Sequence, residues 1–169
     1  MADTNANTTP ASLSVSVEYS EALVELSPRL LTYACSLTRN TTLAEDKTQQ
    51  VLVRLLEKHN EYEITELAQV GFTSVRNALI DEFRRPMHES FDELVNSMGS
   101  TSVGSDDLKN SNLFQALFKV GEKCREVLSL LMNGLKQREI SEITGYPAGS
   151  VASDVSRCRA KLAKEFGPC

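Results

Sequence analysis

Five polar side chains near the end of the chain share the spacing of one helix face. They are Ser150, Ser153, Asp154, Arg157 and Lys161. Residues three or four positions apart lie side by side on a helix. Hydroxyls, a carboxylate and basic groups are the side chains that hydrogen-bond base edges and phosphates. This face therefore predicts contact with DNA.

The apolar residues around this face predict the helices that would present it. Two sets have helical spacing, namely Ile140 with Ile143, and then Val151, Val155, Cys158 and Leu162. Between the sets, Gly145 can adopt the left-handed conformation that ends a helix, and Pro147 suits the first position of the next one. Two short helices joined by a tight turn form a helix-turn-helix, whose second helix enters the major groove. An ordinary helix pair inside a bundle has the same outline, so the rest of the chain must decide.

The composition narrows the classes to which the protein can belong. Hydrophobic residues make up 41% of the 169 residues, which is enough for a core. No run of about 18 apolar residues predicts a membrane span, and the N-terminus lacks the basic start and apolar stretch of a signal peptide. We therefore expect a cytoplasmic protein that does not insert into a membrane.

The residues that usually carry catalysis or bind metals do not cluster in the sequence. There is no Gly-rich phosphate loop, no metal-ligand spacing and no grouped nucleophile and base. The four cysteines lack a CxxC pattern, and we expect them to be reduced thiols packed as small apolar groups. The sequence thus predicts neither an enzyme nor a cofactor.

Charge is distributed unevenly along the chain. The net charge is -5, yet residues 112–169 carry nine basic and six acidic side chains, a local charge of +3. Affinity for DNA depends strongly on phosphate neutralisation. We therefore expect the isolated protein to bind DNA weakly.

Composition and periodicity divide the chain into four segments and predict an all-α fold of two small helical domains. The segments are a disordered tail (1–17), a three-helix domain (18–86), a flexible acidic linker (87–111) and a four-helix domain with the helix-turn-helix (112–169). Pro28 predicts a kink or break in the first helix. Thr42 and Glu45 have the spacing of a capping box at the start of the second.

Three stretches, in register, resemble the extracytoplasmic-function (ECF) sigma factors of bacteria. Ala44-Glu45-Asp46 followed by Gln49 looks like their AED..Q signature. Ser74-Val-Arg-Asn77 with Asp81 and Arg84-Arg85 looks like their IARN...D..RR stretch. The segments Arg125 to Leu128, Gly134 to Ile143 and Gly149 to Arg159 are similar to their fourth region. The resemblance spans residues 26 to 162, most of the chain.

The resemblance implies a promoter-recognition subunit of RNA polymerase, with core polymerase, promoter DNA and an inhibitory anti-sigma factor as partners. It places polymerase docking on the second helix, at Asp46, Gln49, Gln50 and Arg54. It places contact with the -10 promoter element at His59, Asn60, Tyr62, Arg76, Asn77, Asp81, Arg84 and Arg85. For the -35 element it adds Arg125 and Arg138 to the five side chains of the helix-turn-helix. No dimer-forming heptad is present, so we expect a monomer.

The predicted linker is long enough for this function. Promoter elements two DNA turns apart are separated by roughly 70 Å, and 25 extended residues reach roughly 80 Å. One departure concerns Asp154, where the family often carries a basic residue. The alternative is a stand-alone helix-turn-helix regulator that binds duplex DNA without polymerase. The acidic net charge and the missing heptad argue against it.

Overall fold

The structure, a computed structural model, describes residues 14–85 and 112–166, and these residues form helices and connecting turns without any strand. The helices are α1 (Val17–Leu37), α2 (Thr41–Glu57), a short 3-10 helix (Ile64–Glu66), α3 (Leu67–Arg84), α4 (Asn112–Lys119), α5 (Glu122–Met132), α6 (Gln137–Thr144) and α7 (Ala148–Glu165). The predicted all-α class is confirmed. The predicted linker and most of the predicted tail lie outside the described residues. None of the described helices is long and apolar enough to cross a membrane.

The starts of the first two helices are set by side-chain caps. Ser16 accepts a hydrogen bond from the Tyr19 amide at 3.1 Å and begins α1. The predicted cap at Thr42 is wrong. The cap is Asn40, whose Oδ1 accepts a hydrogen bond from the Leu43 amide at 3.0 Å, and α2 begins at Thr41. Both residue types cap helices well, and spacing alone did not distinguish them.

The predicted break at Pro28 does not occur. Pro28 lies inside α1, which runs without interruption from Val17 to Leu37. Its ring is on an exposed part of the helix surface. The Thr32 hydroxyl donates to the Pro28 carbonyl at 2.9 Å, so that carbonyl keeps a partner.

Helices α1, α2 and α3 enclose a core of fully buried side chains. Phe72 packs edge-to-face on Tyr33, with ring centroids 5.3 Å apart. Gly71 allows α1 and α3 to approach, since a Cβ atom there would lie 3.2–3.3 Å from the side chains of Leu26 and Leu30. This close approach fixes the orientation of α3, which carries half of the predicted -10 residues.

Helices α4 to α7 form the second unit, and a disulfide bond connects two of them. Cys124 of α5 is joined to Cys158 of α7, 34 residues later. The expectation of reduced thiols is therefore wrong for this pair. Cys35 is buried in the first unit, as expected, and Cys169 lies outside the described residues.

The two helical units pack against each other. Helix α1 contacts α5, and α3 contacts α6. Apolar side chains from both units belong to one buried cluster, including Leu30 and Phe72 from the first and Val127, Leu130 and Ile140 from the second. The sequence predicted two units but not this contact between them.

Candidate functional site

The helix-turn-helix has the geometry that the sequence predicts. Gly145 adopts a left-handed conformation with φ of 78° and ends α6. The Ser141 hydroxyl donates to the Tyr146 carbonyl at 2.6 Å and closes the turn. Pro147, expected at the first position of α7, instead lies one residue before the helix, which begins at Ala148. The turn is thus held by local bonds and presents α7 on the surface.

Most of the predicted DNA-reading face of α7 is accessible. Ser153, Arg157 and Lys161 are exposed, and Ser150 is half-buried. The hydroxyl of Ser150 donates to the Pro147 carbonyl, and that of Ser153 donates to the Ser150 carbonyl. These hydroxyl oxygens can still accept hydrogen bonds from base amino groups. The face stays open to solvent although the two units are in contact.

Asp154 does not lie on this open face, which corrects the prediction. It is 7% exposed, and its carboxylate binds Lys123 of α5 and Arg157 of α7, both at 2.9 Å. The hydrogen bond and charge of Lys123, with Arg157, lower the pKa of Asp154 below its usual value. Asp154 therefore joins α7 to α5 and holds the guanidinium group of Arg157. Sequence spacing missed this role because Lys123 is distant along the chain.

The lowered pKa of Asp154 gives a testable pH dependence. A carboxyl whose pKa is lower in the folded state contributes stability above its usual pKa, and this contribution is lost as the pH falls through the lowered value. We expect D154N to melt at a lower temperature than wild type at pH 7, and the difference to disappear at a pH acidic enough to protonate this carboxyl in the folded protein. Circular dichroism melts at the two pH values measure this. An equal deficit at both would mean that packing, not charge, explains the effect.

Of the two other predicted -35 residues, one is buried and one is exposed. The guanidinium of Arg125 lies 4.4 Å from the centre of the Phe118 ring, and the residue is 9% exposed. Arg39, in the turn between α1 and α2, approaches the same ring at 4.6 Å. Burial, with the nearby charge of Arg39, lowers the pKa of Arg125. Arg125 is thus not accessible to DNA here, whereas Arg138 is exposed on α6 and binds Glu142.

The residues predicted to dock polymerase lie together on the open face of α2. Asp46, Gln49, Gln50 and Arg54 are all exposed, and the Gln50 amide donates to Asp46 at 3.0 Å. Val53 lies on the same face, one turn after Gln49 and Gln50 and two turns after Asp46, and it is 51% exposed. A second apolar side chain on this helix, Leu56, is 43% exposed. We call these six residues the α2 face.

The predicted -10 residues divide into an open set and an engaged set. The exposed members are Asn60, Asn77, Asp81, Arg84 and Arg85. His59 is half-buried and its ring meets that of Tyr19 edge-on at 6.2 Å, while Tyr62 packs against the core. The remaining residue, Arg76, is turned toward the second unit.

Arg76 is held by a buried carboxylate that the sequence analysis did not single out. Glu126 of α5 is 6% exposed and accepts hydrogen bonds from three side chains of other elements. The donors are Arg76 Nε of α3, Tyr33 Oη of α1 at 3.0 Å, and Tyr146 Oη of the turn at 3.0 Å. We call these four residues the Glu126 clasp. The available signal was an acidic residue directly before the apolar pair Val127 and Leu128 in α5.

Burial and charge shift the ionisation of all three donors in the clasp. Burial, followed by the charge of Glu126, raises the pKa of Tyr33 and that of Tyr146. Burial alone would lower the pKa of Arg76, but the hydrogen bond and charge of Glu126 outweigh it and raise that pKa. The three donors therefore keep their protons at neutral pH, and the carboxylate is fully partnered.

The described residues contain no group of three or more His, Cys, Asp or Glu that could hold a metal ion. The accessible features of the two units are thus surfaces of polar and basic side chains on α2, α3 and α7. Surfaces of this kind suit binding to protein and nucleic acid.

Comparison with known proteins gives a relative in sequence and similar solved structures. No protein-family model matches the chain. The chain is 28% identical over 154 residues to the ECF RNA polymerase sigma factor EcfG of Rhodopseudomonas palustris strain TIE-1, covering 83% of this chain and 85% of the relative. Its fold is similar to that of the sigma factor RpoE of Bartonella quintana, solved in complex with the anti-sigma factor NepR. That likeness has a TM-score of 0.66 at 24% identity and covers 88% of this chain and 96% of the other. The resemblance predicted from the motifs is confirmed.

Proposed function

We propose that this chain is an RNA polymerase sigma factor of the ECF type, which directs promoter recognition without catalysing a reaction itself. The observation that carries the proposal is the exposed reading face of α7, which stays open on a correctly formed helix-turn-helix. The sequence similarity to an ECF sigma factor over 83% of the chain supports it. Its partners are core polymerase, promoter DNA and an anti-sigma factor, and it works as a cytoplasmic monomer.

The α2 face docks on core polymerase. Protein interfaces combine an apolar centre with a polar rim that excludes water. On this face Val53 supplies the apolar centre, and Asp46, Gln49, Gln50 and Arg54 surround it. The hydrogen bond between Asp46 and Gln50 holds two of these side chains in place before docking.

The end of α3 and the loop before it engage the -10 element. Asn77, Asp81 and Arg84 recur at intervals of four and three residues and so share one exposed face. Arg84 and Arg85 supply positive charge for phosphates. Single-stranded bases can stack on aromatic rings, and the half-buried rings of His59 and Tyr62 lie in the loop with Asn60.

Helix α7 reads the -35 element through Ser150, Ser153, Arg157 and Lys161. Arg138 at the start of α6 adds a phosphate contact. Asp154 acts indirectly, since its carboxylate holds Arg157 and is itself held by Lys123. The preference of Arg for guanine depends on a fixed, two-pronged approach to the base edge.

Arg157→Ala tests this assignment. We expect promoter activity to fall about 5- to 150-fold, the equivalent of ~1 to 3 kcal/mol for one lost base contact. Transcription from a promoter with its -35 element intact or scrambled measures the effect, and the variant should lose sensitivity to the scramble. The matched control is Arg159→Ala, an exposed arginine two residues along that lies off the Ser150 to Lys161 face. Wild-type activity of the Arg157 variant would remove that residue from the interface.

The second candidate, a regulator that binds duplex DNA without polymerase, makes a different prediction. It requires tight and specific binding by the isolated protein, whereas a sigma factor requires core polymerase for the same DNA. The comparisons do not favour it. Gel-shift titrations with and without core polymerase separate the two, and specific nanomolar binding by the protein alone would support the regulator.

A further inference from the structure

The Glu126 clasp lies at the contact between the two helical units. Tyr33 and Arg76 come from the first unit, and Glu126 and Tyr146 come from the second. The side chains of Arg76 and Glu126 are 18% and 8% exposed, so their ion pair is shielded from water. A buried carboxylate is costly unless donors satisfy it. Here the donors from both units must be in place at the same time.

Further polar contacts cross the same boundary and are more exposed. Arg29 donates to the Asn133 carbonyl at 2.7 Å, and Gln69 donates to Glu142 at 2.6 Å. Neither places an ionised pair in a buried position. Among the inter-unit contacts described for residues 14–85 and 112–166, the ion pair between Arg76 and Glu126 is the one whose loss would leave a buried charge without a partner.

The clasp opposes the proposed function in two ways. First, the Glu126 carboxylate binds Arg76, a predicted -10 contact, at the group that would otherwise bind a DNA phosphate. Second, the clasp keeps the two units in contact, and a compact chain of this length is roughly 40 Å across. Promoter elements roughly 70 Å apart cannot be reached by both units from such a body.

We infer that Glu126 is a built-in latch that holds the free protein in a closed, inactive conformation, and that the clasp must open before both promoter elements can be bound. The inference rests on the proposed function and adds its regulation. Core polymerase and promoter DNA bind the open form, so their apparent affinity is reduced by the small fraction of open molecules. When the clasp opens, Arg76 separates from Glu126 and binds DNA.

Glu126→Gln tests the latch, because it keeps the size of the side chain and removes the charge that faces Arg76. Small-angle scattering of the free full-length protein should give a larger radius of gyration than wild type. The concentration of protein needed for half-maximal transcription with core polymerase should fall roughly tenfold, which corresponds to ~1.4 kcal/mol. Tyr33→Phe with Tyr146→Phe removes two donors but leaves the ion pair, so it should give a smaller shift in the same direction.

The control is Glu165→Gln, which removes a carboxylate that pairs with Lys119 inside the second unit. It should change neither the radius nor the transcription. Thermal melts establish that each variant is folded, and the double tyrosine variant carries the test if Glu126→Gln is not. An unchanged radius in a folded clasp variant would overturn the latch, as would expansion without a gain in transcription. Failure of wild type to start transcripts would refute the proposed function instead, while scattering would still test the clasp.

Discussion

Replacing Asp46 and Gln49 together with alanine is expected to lower capture of core RNA polymerase roughly a hundredfold, by ~3 kcal/mol. Both side chains are exposed on the α2 face, two turns and one turn before the apolar Val53. Loss of Asp46 also releases Gln50, which is bonded to it. Because a polar rim keeps water out of the apolar centre of an interface, removing two polar side chains of the rim admits water to that centre.

Pull-down of core polymerase by tagged protein measures this loss. The matched control is Glu21→Ala with Glu25→Ala, which removes two exposed polar side chains from the neighbouring helix α1. Both double variants should melt like wild type, since none of the four side chains is buried. Undiminished capture by the Asp46 and Gln49 variant would move the docking surface away from α2.

Reduction of the disulfide is expected to destabilise the helix-turn-helix unit by about 2–4 kcal/mol. The bond closes a loop of 34 residues, and such a cross-link limits the freedom of the unfolded chain. It also connects α7 directly to α5, the helix against which the reading face is mounted. Urea unfolding of the oxidised protein, repeated with a strong reductant, measures the difference.

The double variant Cys124→Ala with Cys158→Ala provides the control. Its unfolding midpoint should be low and should not respond to reductant. Identical midpoints for wild type with and without reductant would mean that the bond makes no contribution in solution.

Features set by neighbouring residues were predictable from the sequence. The turn at Gly145 depends on local spacing, glycine conformation and a following proline, and the structure forms this turn where the sequence predicts it. Where two nearby residues could both cap the same helix, the sequence did not predict which one does. Asn40 and Thr42 both suit a helix cap, and only one is used.

Features set by distant residues were not predictable. Asp154 is buried because Lys123 of another helix binds its carboxylate. Arg125 is buried because its guanidinium packs on the ring of Phe118. Helical periodicity records which face of a helix is apolar but not which polar side chain will find a partner. The clasp at Glu126 has the same origin, since its donors lie 93, 50 and 20 positions away.

Transcription by core polymerase supplemented with this protein tests the assignment as a sigma factor most directly. Start sites should be mapped on genomic DNA from the host bacterium, with the same core and its principal sigma factor as the positive control. We predict discrete transcript ends that share two upstream sequence elements at a fixed spacing, absent with core alone. Active core that gives no additional transcripts with this protein, on any part of the genome, would contradict the assignment.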